Sequence, residues 1–184
     1  MSGTIGSKTV AWAHAKLGHQ VGGGECWDLV DHALRAAGAR SSTTTGEQDD
    51  YVWGTPIALE QVVPGDILQF RNFIVTTTIT TVVRFPDGTG YHESEAPLAR
   101  RPHHSAIVHR VLGGGTFRIY EQHVKPKGDR VQDHEVPTRN AAPVHEVTHE
   151  VRRTEDGRLR TATVDTTTFI SVSGQVWAYR PQPR

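Results

Sequence analysis

Apolar positions at Leu29, Val30, Ala33, Leu34 and Ala37 recur at three- and four-residue spacing, which predicts one amphipathic helix opening at Cys26. Gly38 stands where such a helix stops. An Ala-rich stretch over residues 9–17, closed by Gly18, predicts a shorter helix before it. Beyond residue 60 the pattern changes to strand composition. Residues 67–70, the Thr-, Val- and Ile-rich stretch 72–85, and residues 104–112, 116–124, 147–153, 159–167 and 175–180 all read as strands. Turns separate them at Pro64-Gly65, Pro86-Asp87-Gly88, Gly113-Gly114-Gly115 and Asp156-Gly157. The polar stretches 40–50, 91–102 and 125–140 read as loops or irregular chain. Helices first and strands afterwards predict an α+β fold, with N-terminal helices packed on a mostly antiparallel β-sheet.

Composition agrees with that layout. The chain has 184 residues, enough for one domain with a real core, and only 36% hydrophobic residues. Basic and acidic residues balance at 20 each, so nothing points to a nucleic-acid partner. No apolar run is long enough for a membrane span, and the small, polar residues 1–9 hold no signal-peptide core; localisation stays open. One cysteine excludes an internal disulfide. A single domain over 1–184 and a monomer are expected, with a core of about 9–181, a Thr-rich β insertion at about 73–102 and a hairpin at about 147–167.

The candidate chemistry starts at that one cysteine. Gly22-Gly23-Gly24 leads into Cys26 at the head of the predicted helix, where free N–H groups and the helix dipole favour a thiolate. A thiol nucleophile needs a base, and the base needs a partner to hold its ring. In period two, His104 shares a strand face with Ala106 and Val108, while Phe117, Ile119, Glu121 and His123 share a face on the next strand. Folding these strands back through Gly113–Gly115 brings Glu121 within a residue or two of level with His104. A Cys26–His104–Glu121 triad follows, with Glu121 accepting the Nδ1–H of His104 and the Cys26 N–H as oxyanion donor. Asp28, Asp31 and Glu25 read as solvated or capping residues, and Trp27 as a cleft or core residue.

Gly-Glu-Cys26-Trp, Pro64-Gly65-Asp66-Ile67, His104-Ser-Ala-Ile-Val, Glu121-Gln122 and Val176-Trp-Ala-Tyr-Arg-Pro stand in the order found in CHAP domains. The chain thus resembles these cysteine, histidine-dependent amidohydrolase/peptidase domains of the papain-like superfamily. The resemblance implies a papain-like half-barrel, Cys26 as nucleophile, His104 as base, Glu121 as its orienting carboxylate, and cleavage of amide bonds in peptidoglycan peptides. It implies no cofactor and no metal. Where that family often has Asn, two residues after the Glu, this chain has His123, expected as a fourth site residue that offers a hydrogen bond from the same face.

Two rivals stand beside the hydrolase. One is a non-catalytic peptide- or wall-binding module, favoured by the change at His123. The other is a zinc hydrolase built on His145-Glu146-Val147-Thr148-His149, which fits H-E-x-x-H. That motif binds metal only on a helix, whereas Val, Thr and the following Asp156-Gly157 favour a hairpin strand.

Overall fold

A computed structural model describes residues 3–44, 50–125 and 128–184. Two helices and ten strands are formed among them. Helix α1 (Ile5–His14) begins earlier than the Ala-rich pattern indicates, because Thr4 caps it: the Thr4 side chain accepts the Ser7 N–H at 3.2 Å. Helix α2 (Cys26–Ala37) has the predicted bounds and ends on Gly38 in the left-handed region, φ 79°. Its apolar stripe meets Ala13 of α1 and the sheet residues Ile67, Ile107, Tyr120 and Tyr179 in one buried cluster.

The chain forms two compact units. The first holds residues 3–74, 100–139 and 173–184; the second holds 75–99 and 140–172. In the first, β3 (Thr55–Ile57), residues 173–180 of β10 (Leu159–Arg180), residues 67–74 of β4 (Ile67–Arg84), residues 100–113 of β6 (Leu98–Gly113), β7 (Thr116–Glu121) and β8 (Gln132–Pro137) lie side by side in that order, in an open sheet. A short pair, β1 (Thr43–Thr44) with β2 (Tyr51–Val52), stands apart from it. Residues 45–49 of the polar loop expected at 40–50 lie outside the described residues. In the second unit, β5 (Gly90–Glu95) pairs antiparallel with β4, and β9 (Val144–Arg153) pairs antiparallel with β10. Val83, Phe85, Ala162 and Val164 form its small core.

Several elements depart from the pattern reading. Residues 67–70 and 72–85 form one strand, β4, bent where Asn72 takes φ 48°. Gly174 of β10 lies so close to the Asn72 and Phe73 backbone there that a Cβ would collide, so the bend needs glycine opposite it. The irregular stretch 91–102 holds β5 and the start of β6, and 125–140 holds β8. β5 and the start of β6 are mostly exposed, and β8 is mostly polar although only Glu135 of it is exposed, so the apolar alternation that marks a half-buried strand is weak in each. β9 is a strand, paired antiparallel with β10 from Arg153 opposite Leu159 to Val144 opposite Thr168. An extended chain separates His145 from His149 by about 13 Å, so the zinc reading loses the helix it requires.

Candidate active site

The approach to Cys26 is held from two sides. Gly22 takes φ 56°, and a Cβ there would strike the Asp28 carboxylate. Asp28 uses that space to accept the N–H of Gly23 at 2.7 Å and of Glu25 at 3.2 Å, capping α2 from within its first turn. Buried Gln122 clamps the same loop. Its Oε1 accepts the Val21 N–H at 2.8 Å, and its Nε2 donates to the Val21 carbonyl at 3.0 Å and the Glu25 carbonyl at 2.7 Å. Cys26 is thereby fixed as the first residue of α2, 7% exposed.

His104 comes from β6 and Glu121 from the last position of β7. The register pairs Ile107 with Tyr120 and Val108 with Ile119, so the hairpin brings His104 and Glu121 to the same end. His104 Nε2 lies 2.9 Å from Glu121 Oε2. That contact is an ion pair lying off the ring's N–H axis. The nitrogen facing Glu121 is therefore Nε2 and not the expected Nδ1. Strand register sets proximity, but the rotation of the ring follows from its packing, here beside Phe70 at 6.2 Å between centroids. The Cys26 thiol is the ring's other hydrogen-bonding neighbour.

Glu121 is fully buried and carries more partners than a triad needs. Arg101 grips it with two parallel bonds, Nε to Oε2 at 2.8 Å and a terminal nitrogen to Oε1 at 2.6 Å. His134 of β8 adds Nδ1 to Oε1 at 2.7 Å. Burial alone would raise the Glu121 pKa. The bonds from Arg101, His104 and His134 outweigh it and hold the carboxyl well below the ordinary range. Burial likewise pushes His104 down, but its contacts with Cys26 and Glu121 prevail and raise it to about 9.

The structure thus brings together Cys26, His104 and Glu121, and leaves His123 outside. The β7 ladder ends with Glu121 opposite Gln132. His123 then turns to φ 68°, donates its N–H to the Gly128 carbonyl at 2.7 Å, and points its ring to Glu25 at 3.0 Å, 60% exposed. The strand alternation that would put it beside Glu121 is broken one residue earlier. Asp31, read as solvated, is buried and paired with Arg35 at 2.8 Å and with Ser41. Trp27 packs against the core and donates to Ser42 Oγ at 2.8 Å.

Arg101, His134 and Gln122 are missing from the pattern reading. One signal was available for Arg101: a carboxylate in an apolar strand demands a countercharge, and Arg100-Arg101 lies just ahead of His104 on the neighbouring strand. Among the described residues no group of three His, Cys, Asp or Glu is arranged to hold a metal ion. No described helix is long and apolar enough to cross a membrane.

No curated protein and no solved structure matches this chain. Its residues 1–184 match the family described as the AIM3/BBC1 cysteine proteinase-fold domain. A thiol at a helix start beside a histidine and a carboxylate from neighbouring strands agrees with that description. The chain belongs to the AIM3/BBC1 cysteine proteinase-fold domain family.

Proposed function

We propose that this domain is a thiol-dependent amidohydrolase acting on peptide amide bonds through Cys26, His104 and Glu121. The observation that carries the reading is His104 itself: one ring nitrogen lies 2.9 Å from a buried carboxylate, and the ring also hydrogen-bonds with the Cys26 thiol. Glu121, kept ionised by Arg101, favours the charged form of His104, the counter-ion that a nucleophilic Cys26 sulfur needs. The thiolate attacks the amide carbonyl carbon, and the oxyanion meets the free N–H groups at the start of α2. His104 passes its proton to the leaving amine as the C–N bond breaks. Water, deprotonated by His104, then releases the acyl group from sulfur. Peptidoglycan peptides, which the CHAP resemblance implies, are one substrate class; other peptide amides use the same chemistry.

The test is turnover on a panel of peptide and peptidoglycan amides, run beside iodoacetamide labelling. Cys26→Ser is expected to abolish turnover, and His104→Ala to lower both turnover and labelling at neutral pH by a hundredfold or more, the usual scale of general acid–base catalysis. Turnover that survives Cys26→Ser refutes the proposal. A second reading is a peptide-binding module without turnover. It draws on two observations: Arg101 engages both oxygens of Glu121, and His123 pairs with Glu25 instead of joining the site. It predicts peptide binding indifferent to alkylation of Cys26.

A further inference from the structure

The strand that carries the abandoned zinc motif offers an edge for pairing. β9 is a regular strand of ten residues that, among the described residues, pairs with β10 alone. Val144, Val147 and Val151 on it, and Leu159 opposite Arg153 on β10, are each more than half exposed. Val147, Val151 and Leu159 share one face of the sheet, an apolar stripe along a bare edge. Natural edges are usually blunted by charges, Pro or a bulge; β9 has no Pro and no bulge, and its charges, Glu146, Glu150, Arg152 and Arg153, set which pairings it allows.

We propose that β9 is a self-association edge, which pairs antiparallel with β9 of a second copy of this chain. A two-fold axis perpendicular to the sheet keeps each side chain on its own side, so it must pass through a residue and not between two. With the axis at His149, Glu146 faces Arg152 of the second copy and Val147 faces Val151, each twice by symmetry. Shifting the axis by one residue sets Glu146 against Glu150 in one direction, or Glu150 against its own copy in the other. Both place like charges opposite each other. Of these three registers, the one through His149 is favoured by charge and by apolar matching together. Arg152 holds a partly exposed guanidinium there, 2.9 Å from Glu150 of its own strand. The occupant is a second copy because β9 matches itself, in place of the monomer expected from sequence.

Sedimentation equilibrium across a wide concentration range tests this, with thermal melts to confirm that each variant folds. The native chain is expected to show a reversible monomer–dimer equilibrium. Glu146→Arg alone and Arg152→Glu alone should each weaken it about tenfold, since two attractive cross-strand pairs become repulsive. An equimolar mixture of the two variants should recover association, because each then meets its complement. The double variant in one chain should recover it as well. A native chain that stays monomeric overturns the proposal. So does association indifferent to either single change, or a mixture no more associated than its parts.

Discussion

Two arginine–carboxylate pairs in this chain have almost the same length and opposite surroundings. In the first unit, Arg101 meets Glu121 at 2.6 Å, with 6% and 0% of their side chains exposed. In the second, Arg160 meets Asp87 at 2.5 Å, with 40% and 43% exposed. Distance does not separate them, but water does. Exposed charges are screened and lose little when parted, whereas a buried charge without its partner has neither hydration nor attraction. The first unit therefore commits its fold to keeping four groups together, while the second wears similar residues on its surface. Histidines follow the same division: His104 is held in the interior, and His145 and His149 stand on an exposed strand.

The largest effect should come from separating the buried pair. Arg101→Met leaves Glu121 with only histidines to balance it, and Glu121→Gln leaves Arg101 facing a neutral amide. Each is expected to cost about 3–5 kcal/mol in urea or thermal unfolding. The double variant should cost less than the sum, since neither orphaned charge remains. A loss under about 1 kcal/mol for both single variants would mean that water reaches the cluster and that the contrast drawn above is false.

Proton linkage gives the next effect. The pKa of His104 in the folded chain, about 9, lies above its ordinary value of 6.5. Its contribution to stability is thus complete below about 6.5 and is lost as pH rises through 9. Glu121 has the opposite sign: its folded pKa is depressed, so its contribution is present above the ordinary carboxylate range and is lost as pH falls below it. Chemical unfolding of the native chain between pH 6 and 10 should show a decline of a few kcal/mol. The decline should flatten in His104→Gln. An equal slope in both proteins would assign the decline to other groups. Under the proposed function, turnover should also fall above about pH 9, as the imidazolium is lost.

Smaller still is the expected effect of Gln122→Ala. Three hydrogen bonds to the loop before Cys26 are lost, with exposure of some freed backbone groups to water, for about 1–3 kcal/mol. A merely structural role would leave Cys26 labelling unchanged. If the clamp positions the thiol, labelling slows in the folded protein.

Legibility in the sequence follows the same line between buried and exposed. Cys26, His104 and Glu121 stand out because each is an anomaly in an apolar pattern that itself sets the geometry: a thiol at a helix start, and a ring and an acid at one end of a hairpin. Helix α2 was readable to the residue, since its stripe and Gly38 agree. Arg101 and His134 were hidden because β8 and the start of β6 carry so many polar side chains that they read as loop. His123 misled because alternation was extended past Glu121, where the chain leaves the sheet. Ring orientation at His104 depends on side-chain packing across distant strands, which spacing along one strand cannot encode.

The smallest effect belongs to the second unit, and it is the sharpest control. Asp87 also accepts from Thr89, N–H at 3.1 Å and hydroxyl at 2.6 Å, and these bonds lead the causes that lower its pKa, ahead of Arg160. Removing Arg160 therefore takes away the weaker support of a carboxylate that water already solvates. Arg160→Gln is expected to leave the unfolding midpoint unchanged within error, at dilution where the chain is monomeric. Asp87→Asn should do little more, because an amide oxygen can still accept from Thr89. Measured beside Arg101→Met under the same conditions, the two arginines form a matched pair that differs in burial and hardly in length. Should Arg160→Gln destabilise as much as Arg101→Met, the turn at Asp87 would have to be closed off from solvent, and bond length, not burial, would rank these contacts.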